Sequence, residues 1–158
     1  MTIRSLTHNS KGDAMTIVRE ILETKGKDIW SISPSATVFE ALKLMAEKNV
    51  GALVVSDKEK VAGIISERDY ARKIILHGKS SKEALVKDIM SSNVVFVRPD
   101  QSVEECMVLM SDKRIRHLPV LENERLIGVI SIGDVVKAII AQHKYHIEQL
   151  ENYIKGGR

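Results

Sequence analysis

The chain has 158 residues and a hydrophobic content of 44%, so it is long enough to bury one sizeable core. Its 24 basic and 21 acidic residues are interspersed, and the net charge of +3 and the aromatic content of 4% argue against a nucleic-acid-binding role. The sequence has no run of about 18 apolar residues, and its first 14 residues are polar, so we expect a cytoplasmic protein without a signal peptide or membrane segment.

The first predicted element is an N-terminal helix. Ile17, Ile21 and Leu22 have helical spacing, and Gly26 is placed to end the helix. We therefore predict a flexible extension over residues 1–14 and a helix within residues 15–28.

An internal repeat follows this helix. Residues 30–75, moved forward by 65 positions, fall without a gap on residues 95–140, and fifteen of the forty-six aligned residues are identical. Because each half is too small to cover its own apolar faces, we expect the two copies to share one core and to leave a ligand cleft between them. The identical pairs include Pro34 with Pro99, Gly63 with Gly128, Ser66 with Ser131, and Asp69 with Asp134.

Each repeat is predicted to run strand, helix, strand, strand, helix. The short first strands fall around residues 30–32 and 94–97, and a capping box begins the helix that follows each of them. The predicted fold is α/β, with two pseudo-twofold-related β-α-β-β-α repeats, an added N-terminal helix and an extended C-terminal helix. The boundaries are repeat one at 29–78, a linker with a short helix (82–90) at 79–93, and repeat two at 94–155. The two capping boxes are Thr37 with Glu40 and Ser102 with Glu105.

The last helix is predicted from Asp134 to about Lys155, beyond the end of the repeat. Its apolar positions alternate four and three residues apart, which is a heptad-like pattern. This stripe can pack on the N-terminal helix of the same chain or form a dimer contact, and the pattern alone does not choose. The positions are Val136, Ile140, His143, Ile147, Leu150 and Ile154.

A short motif carries each repeat from its last strand into its last helix: glycine, two aliphatic residues, serine, two variable residues, aspartate. Serine followed three positions later by aspartate makes a capping box, but the helix N-terminus also favours phosphate, and aspartate can accept hydrogen bonds from two ribose hydroxyls. The glycine, which permits close backbone approach, favours the ligand interpretation. The motif spans residues 63–69 and 128–134.

Three basic residues of repeat two have no basic counterparts in repeat one. Arg114, Arg116 and His117 precede the second strand of repeat two, where repeat one has Asn49, Gly51 and Ala52. We therefore expect two unequal sites, one of them richer in positive charge and suited to an anion.

Other candidate chemistry is weak. The single Cys106 matches Ala41 on an apolar helix face and is predicted to pack in the core. His143 and His146 lie three apart on a helix, but no third metal ligand is evident. We expect no catalytic residues and no catalytic cofactor.

In these motifs the chain resembles a tandem pair of CBS domains, also called a Bateman module, and in particular the stand-alone bacterial members. The resemblance rests on both glycine-to-aspartate turns, on residues 116–120 (RHLPV) and on residues 86–90 (VKDIM). It implies a cleft that binds AMP, ADP, ATP, NAD or S-adenosylmethionine, with Asp69 and Asp134 on the ribose. The other implied contacts are Ser66, Ser131 and Gly133 at the turns, Val50 and Gly51 for the Asp134 site, Ile115 and Arg116 for the Asp69 site, and Arg68, Arg116 and His117 for phosphate.

The expected function is therefore a regulatory sensor of an adenine nucleotide, without catalytic activity, that forms a homodimer and passes ligand occupancy to an unknown regulated protein. Two other classes stay open: a structural dimerisation module with degenerate sites, and a nucleic-acid-binding accessory protein. An enzyme acting on NAD or nucleotides has the least support, because no nucleophile or general base is placed for it.

Overall fold

A computed structural model describes residues 16–26 and 28–156, and the predicted extension over residues 1–14 lies outside them. The described residues contain six α-helices and two small sheets, and they divide into two compact units. One unit comprises residues 28–95. The other combines residues 16–26 with residues 96–156. The mixed α/β class and the two repeats are confirmed.

The unit of residues 28–95 contains repeat one and a three-stranded sheet in the order β1-β2-β3. Strand β1 pairs parallel with β2, and β2 forms an antiparallel hairpin with β3. The buried face of α2 covers the sheet through Val38, Ala41 and Met45, as the helical spacing predicted. The elements are β1 (Ser31–Ile32), α2 (Val38–Lys48), β2 (Ala52–Asp57), β3 (Lys60–Ser66), α3 (Glu67–Lys73), a 3-10 turn (Ile75–His77) and α4 (Val86–Ile89).

The second unit contains repeat two and the N-terminal helix α1. Val103, Cys106 and Met110 form the buried face of α5, and Val135 anchors the start of α6. The elements are α1 (Val18–Lys25), α5 (Val103–Lys113), β4 (His117–Glu122), β5 (Arg125–Ser131) and α6 (Ile132–Gly156).

The predicted first strand of repeat two, around residues 94–97, is wrong: only Val97 makes a parallel bridge, to Val120. The cause is a proline. In repeat one the Val54 N–H donates to the Trp30 carbonyl at 3.2 Å, whereas the matching position in repeat two is Pro119, which has no N–H to donate. The ladder therefore shrinks to a single residue.

Three helix boundaries also differ from the prediction. Helix α1 is shorter than residues 15–28 but ends, as predicted, at Gly26, whose φ of 97° favours glycine. The short linker helix α4 covers only Val86–Ile89, and α6 begins at Ile132, two residues before Asp134, because Ser131 caps it.

Helix α1 and helix α4 play equivalent parts in different units. The Val18 and Arg19 amides donate to the carbonyls of Gln101 and Pro99, and the Val86 and Lys87 amides donate to those of Ala36 and Pro34. Neither helix docks on the repeat that comes next in the chain. Helix α1, before repeat one, completes the unit of repeat two, and helix α4, before repeat two, completes the unit of repeat one.

Candidate functional site

The turn from β3 into α3 holds Asp69 in a capping box. The Ser66 hydroxyl accepts from the Asp69 amide at 3.2 Å, while Asp69 Oδ2 accepts from the Ser66 amide at 2.9 Å and from the Ser66 hydroxyl at 3.1 Å. Lys73, one turn further along α3, places its ammonium 3.5 Å from Asp69 Oδ1. Both aspartate oxygens are therefore engaged within this unit.

The turn from β5 into α6 repeats the box and adds a lysine from another helix. Asp134 Oδ2 accepts from the Ser131 amide at 2.8 Å, and the Asp134 amide donates to the Ser131 hydroxyl at 3.2 Å. The ammonium of Lys25, the last residue of α1, donates to Asp134 Oδ2 at 2.7 Å and to the Val129 carbonyl at 2.9 Å. Lys25 thus bridges the carboxylate and the end of β5.

The Asp134 carboxyl is held in its ionised form. Its partial burial raises the pKa, but the hydrogen bond and charge of Lys25 and the hydrogen bonds from Ser131 outweigh burial, so the net pKa lies below the ordinary 3.8. The carboxylate is half-buried, with 18% of its side-chain surface exposed. It is therefore a charged acceptor at neutral pH that a ligand can still reach.

The residues before the second strand of each repeat lie against the turn of their own unit. The Glu67 amide donates to the Gly51 carbonyl at 3.1 Å, and the Ile132 amide donates to the Arg116 carbonyl at 2.8 Å. His117 pairs with Ser131 across the β4-β5 ladder. The structure therefore brings Arg116 and His117 together with the Asp134 turn, whereas the resemblance implied Arg116 as a contact for the Asp69 site.

In repeat one, the same arrangement places other predicted site residues near the Ser66 turn. Ala52 pairs with Ser66 across the β2-β3 ladder, so Val50 and Gly51 lie near the Ser66 turn. Arg68 is half-buried in the first turn of α3, where the second unit has the exposed Gly133. Ile115 is half-buried at the end of α5, where its amide donates to the Met110 carbonyl at 3.1 Å.

His117 does not carry the positive charge that was expected of it. Burial lowers its pKa, the charges of Lys25 and Arg116 lower it further, and the attraction of Asp134 only partly opposes them, so the pKa falls from 6.5 to about 4. The imidazole is neutral at pH 7. Arg116 and Lys25 are then the cationic groups at this turn.

The two glycines of the motif face the protein's own side chains, which corrects the argument that they make room for a ligand. A Cβ on Gly63 would lie 2.6 Å from the Ser91 carbonyl oxygen and 2.9 Å from Met90 Sδ, and one on Gly128 would lie 2.6 Å from Leu22 Cδ2. Gly63 allows Met90 and Ser91, which follow α4, to pack closely on β3. Gly128 allows Leu22 of α1 to pack closely on β5.

Lys25 and Lys73 are the site residues that the sequence analysis missed. Lys73 could have been found, because it stands four residues after Asp69 on one helix, a spacing that favours ion pairs. Lys25 could not, because 109 positions separate it from Asp134 and no local pattern joins them.

The remaining predicted groups behave as follows. Cys106 is buried, and burial raises the pKa of its thiol to about 11, in keeping with core packing. Within residues 16–26 and 28–156, no three His, Cys, Asp or Glu side chains come together as a metal site, so His143 and His146 gain no third ligand. Over the same residues, no helix has the length and apolar character to cross a bilayer.

Comparisons with known proteins agree with the motifs. The CBS domain family matches residues 18–76 and 86–141. The chain is 42% identical over 156 residues to the mitochondrial CBS domain-containing protein CBSX3 of Arabidopsis thaliana, covering 92% of this chain and 75% of that protein. This chain belongs to the CBS-domain family and carries two copies of the domain.

Two solved structures share the fold. One is a candidate signal-transduction protein with CBS domains from Burkholderia ambifaria, at 51% identity and a TM-score of 0.78, with 80% of this chain and 95% of that chain covered. The other is the CBS domain pair of protein MJ0100 in complex with 5'-methylthioadenosine and S-adenosylmethionine, at 25% identity and a TM-score of 0.70, with 81% and 98% covered.

Proposed function

We propose that this CBS-domain protein is a regulatory module that binds an adenosine-containing ligand of the AMP, ADP, ATP or NAD type without transforming it, and that signals occupancy to a protein partner. The observation that carries the proposal is the ionised, half-buried Asp134 at the start of α6, with Arg116 beside it. A carboxylate in this position can accept from two adjacent ribose hydroxyls, and a guanidinium can bind phosphate. The two adenosine-containing ligands bound to the MJ0100 relative support the same class of ligand.

Binding at Asp134 involves an exchange of hydrogen-bond donors. In the structure the Lys25 ammonium donates to Asp134 Oδ2. Ribose hydroxyls take over that oxygen, and the released ammonium, which stays anchored near the Val129 carbonyl, becomes available to a ligand phosphate. Lys25 therefore joins Ser131, Gly133 and Asp134 in the proposed site.

Phosphate bound beside His117 raises the pKa of its imidazole. That pKa is about 4 first because of burial and then because of the two nearby cations, and a phosphate offsets only the cations. Burial remains, so His117 contacts the phosphate as a neutral hydrogen-bonding group.

The Asp69 turn forms a second, weaker candidate site. Its aspartate is engaged by Ser66 and Lys73, and Arg68 supplies the cation there. The assignment of Val50, Gly51 and Ile115 as ligand contacts rests on the family resemblance alone.

The wider setting is part of the proposal. We place the protein in the cytoplasm, as a homodimer whose conformation responds to ligand. A ligand can shift that conformation only by its difference in affinity for the two states. The second candidate function is an interaction module without ligand, and the exposed apolar residues of α6 favour it.

A thermal-shift panel with AMP, ADP, ATP, NAD, NADH and S-adenosylmethionine tests the proposal. A ligand at about 100 times its dissociation constant stabilises the folded protein by about 2.7 kcal/mol. We expect a shift with at least one ligand, abolished in Asp134→Ala when measured as the ligand-induced increment. Asp69→Ala, measured in the same way, reports on the second site.

Asp57→Ala is the matched control, because Asp57 is exposed and pairs with Lys60 at the end of the β2-β3 ladder opposite the Ser66 turn. It should keep the full ligand-induced increment. An increment that persists in both the Asp69 and Asp134 variants contradicts the assignment, and a flat panel with the unmodified protein favours the interaction module.

A further inference from the structure

Helix α6 has two distinct parts. Its first part packs within its unit: Val135 is buried, the Gln142 side-chain oxygen accepts from the Thr16 amide at 3.0 Å, and the Gln142 side-chain amide donates to Glu104 at 2.6 Å. The sequence pattern predicted either packing on the N-terminal helix or a dimer contact for this helix. Contact with the described N-terminal residues extends along α6 only as far as Gln142. From His143 to Lys155 every residue is exposed.

This distal part carries large apolar side chains that no described residue covers. Ile147 is 56% exposed, Leu150 63% and Ile154 70%. Helical stability in proteins comes mostly from packing of an apolar face, so a partner that covers these side chains stabilises the distal part. The apolar residues indicate where that partner packs.

We propose that the distal part of α6 pairs with the same segment of a second copy of this chain as a short antiparallel coiled coil. Ile140, Ile147 and Ile154 fall at one core position of the heptad, and Leu150 falls at the other. In the antiparallel register, Ile147 of one copy packs beside Leu150 of the other. The polar His143 lies opposite Ile154 of the second copy and helps to fix the register.

Charge complementarity selects the antiparallel direction. Lys144 and Glu151 occupy the same flanking position of the heptad, directly after the core residues His143 and Leu150. In an antiparallel pair such positions meet each other, so Lys144 of each copy lies beside Glu151 of the other and two ion pairs form. In a parallel pair Lys144 would instead face Ile139 of the second copy.

The proposal extends the expected homodimer by naming its interface, and it does not depend on the ligand. Other occupants have less in their favour. The first 14 residues of this chain offer only Met1, Ile3 and Leu6 as large apolar side chains, without heptad spacing.

Sedimentation equilibrium of the full chain without nucleotide tests the inference. We expect a concentration-dependent dimer, with Ile147→Lys and Leu150→Lys together weakening association at least tenfold. Because both side chains are exposed, these changes leave the packed core intact, and circular dichroism checks that the fold is retained. A monomer at every concentration, or a dimer that the double variant leaves unchanged, overturns the proposal.

A charge exchange tests the direction. Lys144→Glu alone and Glu151→Lys alone should each weaken the dimer, and the two together should restore it. The double exchange leaves unfavourable like-charge neighbours, Glu148 and Lys155, within each helix, so any recovery comes from the contact between copies. Gln149→Glu, on the outward face of the same turns, is the control and should change nothing. Single exchanges without effect, or no recovery in the double exchange, contradict the antiparallel arrangement.

Discussion

Each motif aspartate forms an ion pair with a lysine, but the two lysines come from different parts of the chain. Lys73 approaches Asp69 from one turn further along the same helix, and repeat two has Ala138 at that position. Lys25 approaches Asp134 from helix α1. The surroundings of the two aspartates therefore differ, both in the partner of each aspartate and in the basic residues before β4.

The depressed pKa of His117 makes stability depend on pH. The folded pKa of about 4 lies below the ordinary 6.5, so on acidification the unfolded chain takes up a proton before the folded chain does. Stability contributed by neutral His117 is thus complete above pH 6.5 and declines as pH falls toward about 4. The decline reaches at most about 1.4 kcal/mol per pH unit and totals about 3 kcal/mol.

We therefore expect the unfolding free energy of the unmodified protein, measured in urea, to decrease as the pH is lowered from 7.0 to 6.0 and 5.0. His117→Gln should flatten that dependence. His77→Gln, at an exposed histidine, is the control and should keep the full slope. Equal slopes in all three proteins would show that His117 is not the group that titrates.

At the scale of the elements, the two hairpins share an unfavourable turn. Strands β2 and β3 are joined by Lys58 and Glu59, both with positive φ, and strands β4 and β5 by Asn123 and Glu124, again with positive φ. Two-residue turns of this kind favour glycine at the second position, and a left-handed conformation costs a non-glycine residue about 1–2 kcal/mol.

Replacing the glutamate by glycine in either hairpin should therefore stabilise the protein. Glu59→Gly and Glu124→Gly should each raise the unfolding free energy by up to about 1 kcal/mol, since glycine's greater freedom when unfolded cancels part of the gain. Lys43→Gly introduces glycine in the exposed middle of α2 and should cost about 1 kcal/mol. Chemical denaturation of the three variants compares the signs directly, and a loss of stability in the hairpin variants would contradict the turn assignment.

At the scale of the whole molecule, helix α1 packs in the unit of repeat two, far from its own place in the sequence. Val18, Ile21 and Leu22 are buried, and Leu22 fills the space over Gly128. Arg19 adds an ion pair with Glu122 at 2.8 Å, although both side chains are partly exposed and the pair contributes little.

Leu22→Ala should therefore destabilise the unit of repeat two by about 2–5 kcal/mol, the range for a buried leucine. Hydrogen exchange should show the loss of protection in residues 96–142, while residues 28–95 keep theirs. Leu76→Ala, at a side chain that is 76% exposed, is the control and should change stability by less than about 0.5 kcal/mol. Uniform loss of protection across the chain would contradict the division into two units.

Sequence patterns predicted what short-range rules determine. Helix faces, both capping boxes at Thr37 and Ser102, and the hairpins follow from spacing and residue type, and the structure confirms them. The missing strand near Val97 also has a local cause in Pro119, but its effect is visible only once the strand partners are known. The pairing of Lys25 with Asp134 depends on where α1 docks, which is a long-range property that no local pattern records.

The docking of α1 has a consequence for synthesis. Residues 28–95, with their own closing helix α4, are a continuous segment that can fold as soon as it leaves the ribosome. Leu22 must wait until Gly128 has been made, 106 residues later, which at cellular rates takes roughly 5–20 s. During that interval the apolar residues of α1 lack the partners of their own unit, so a segment made before repeat one is among the last to reach its native place.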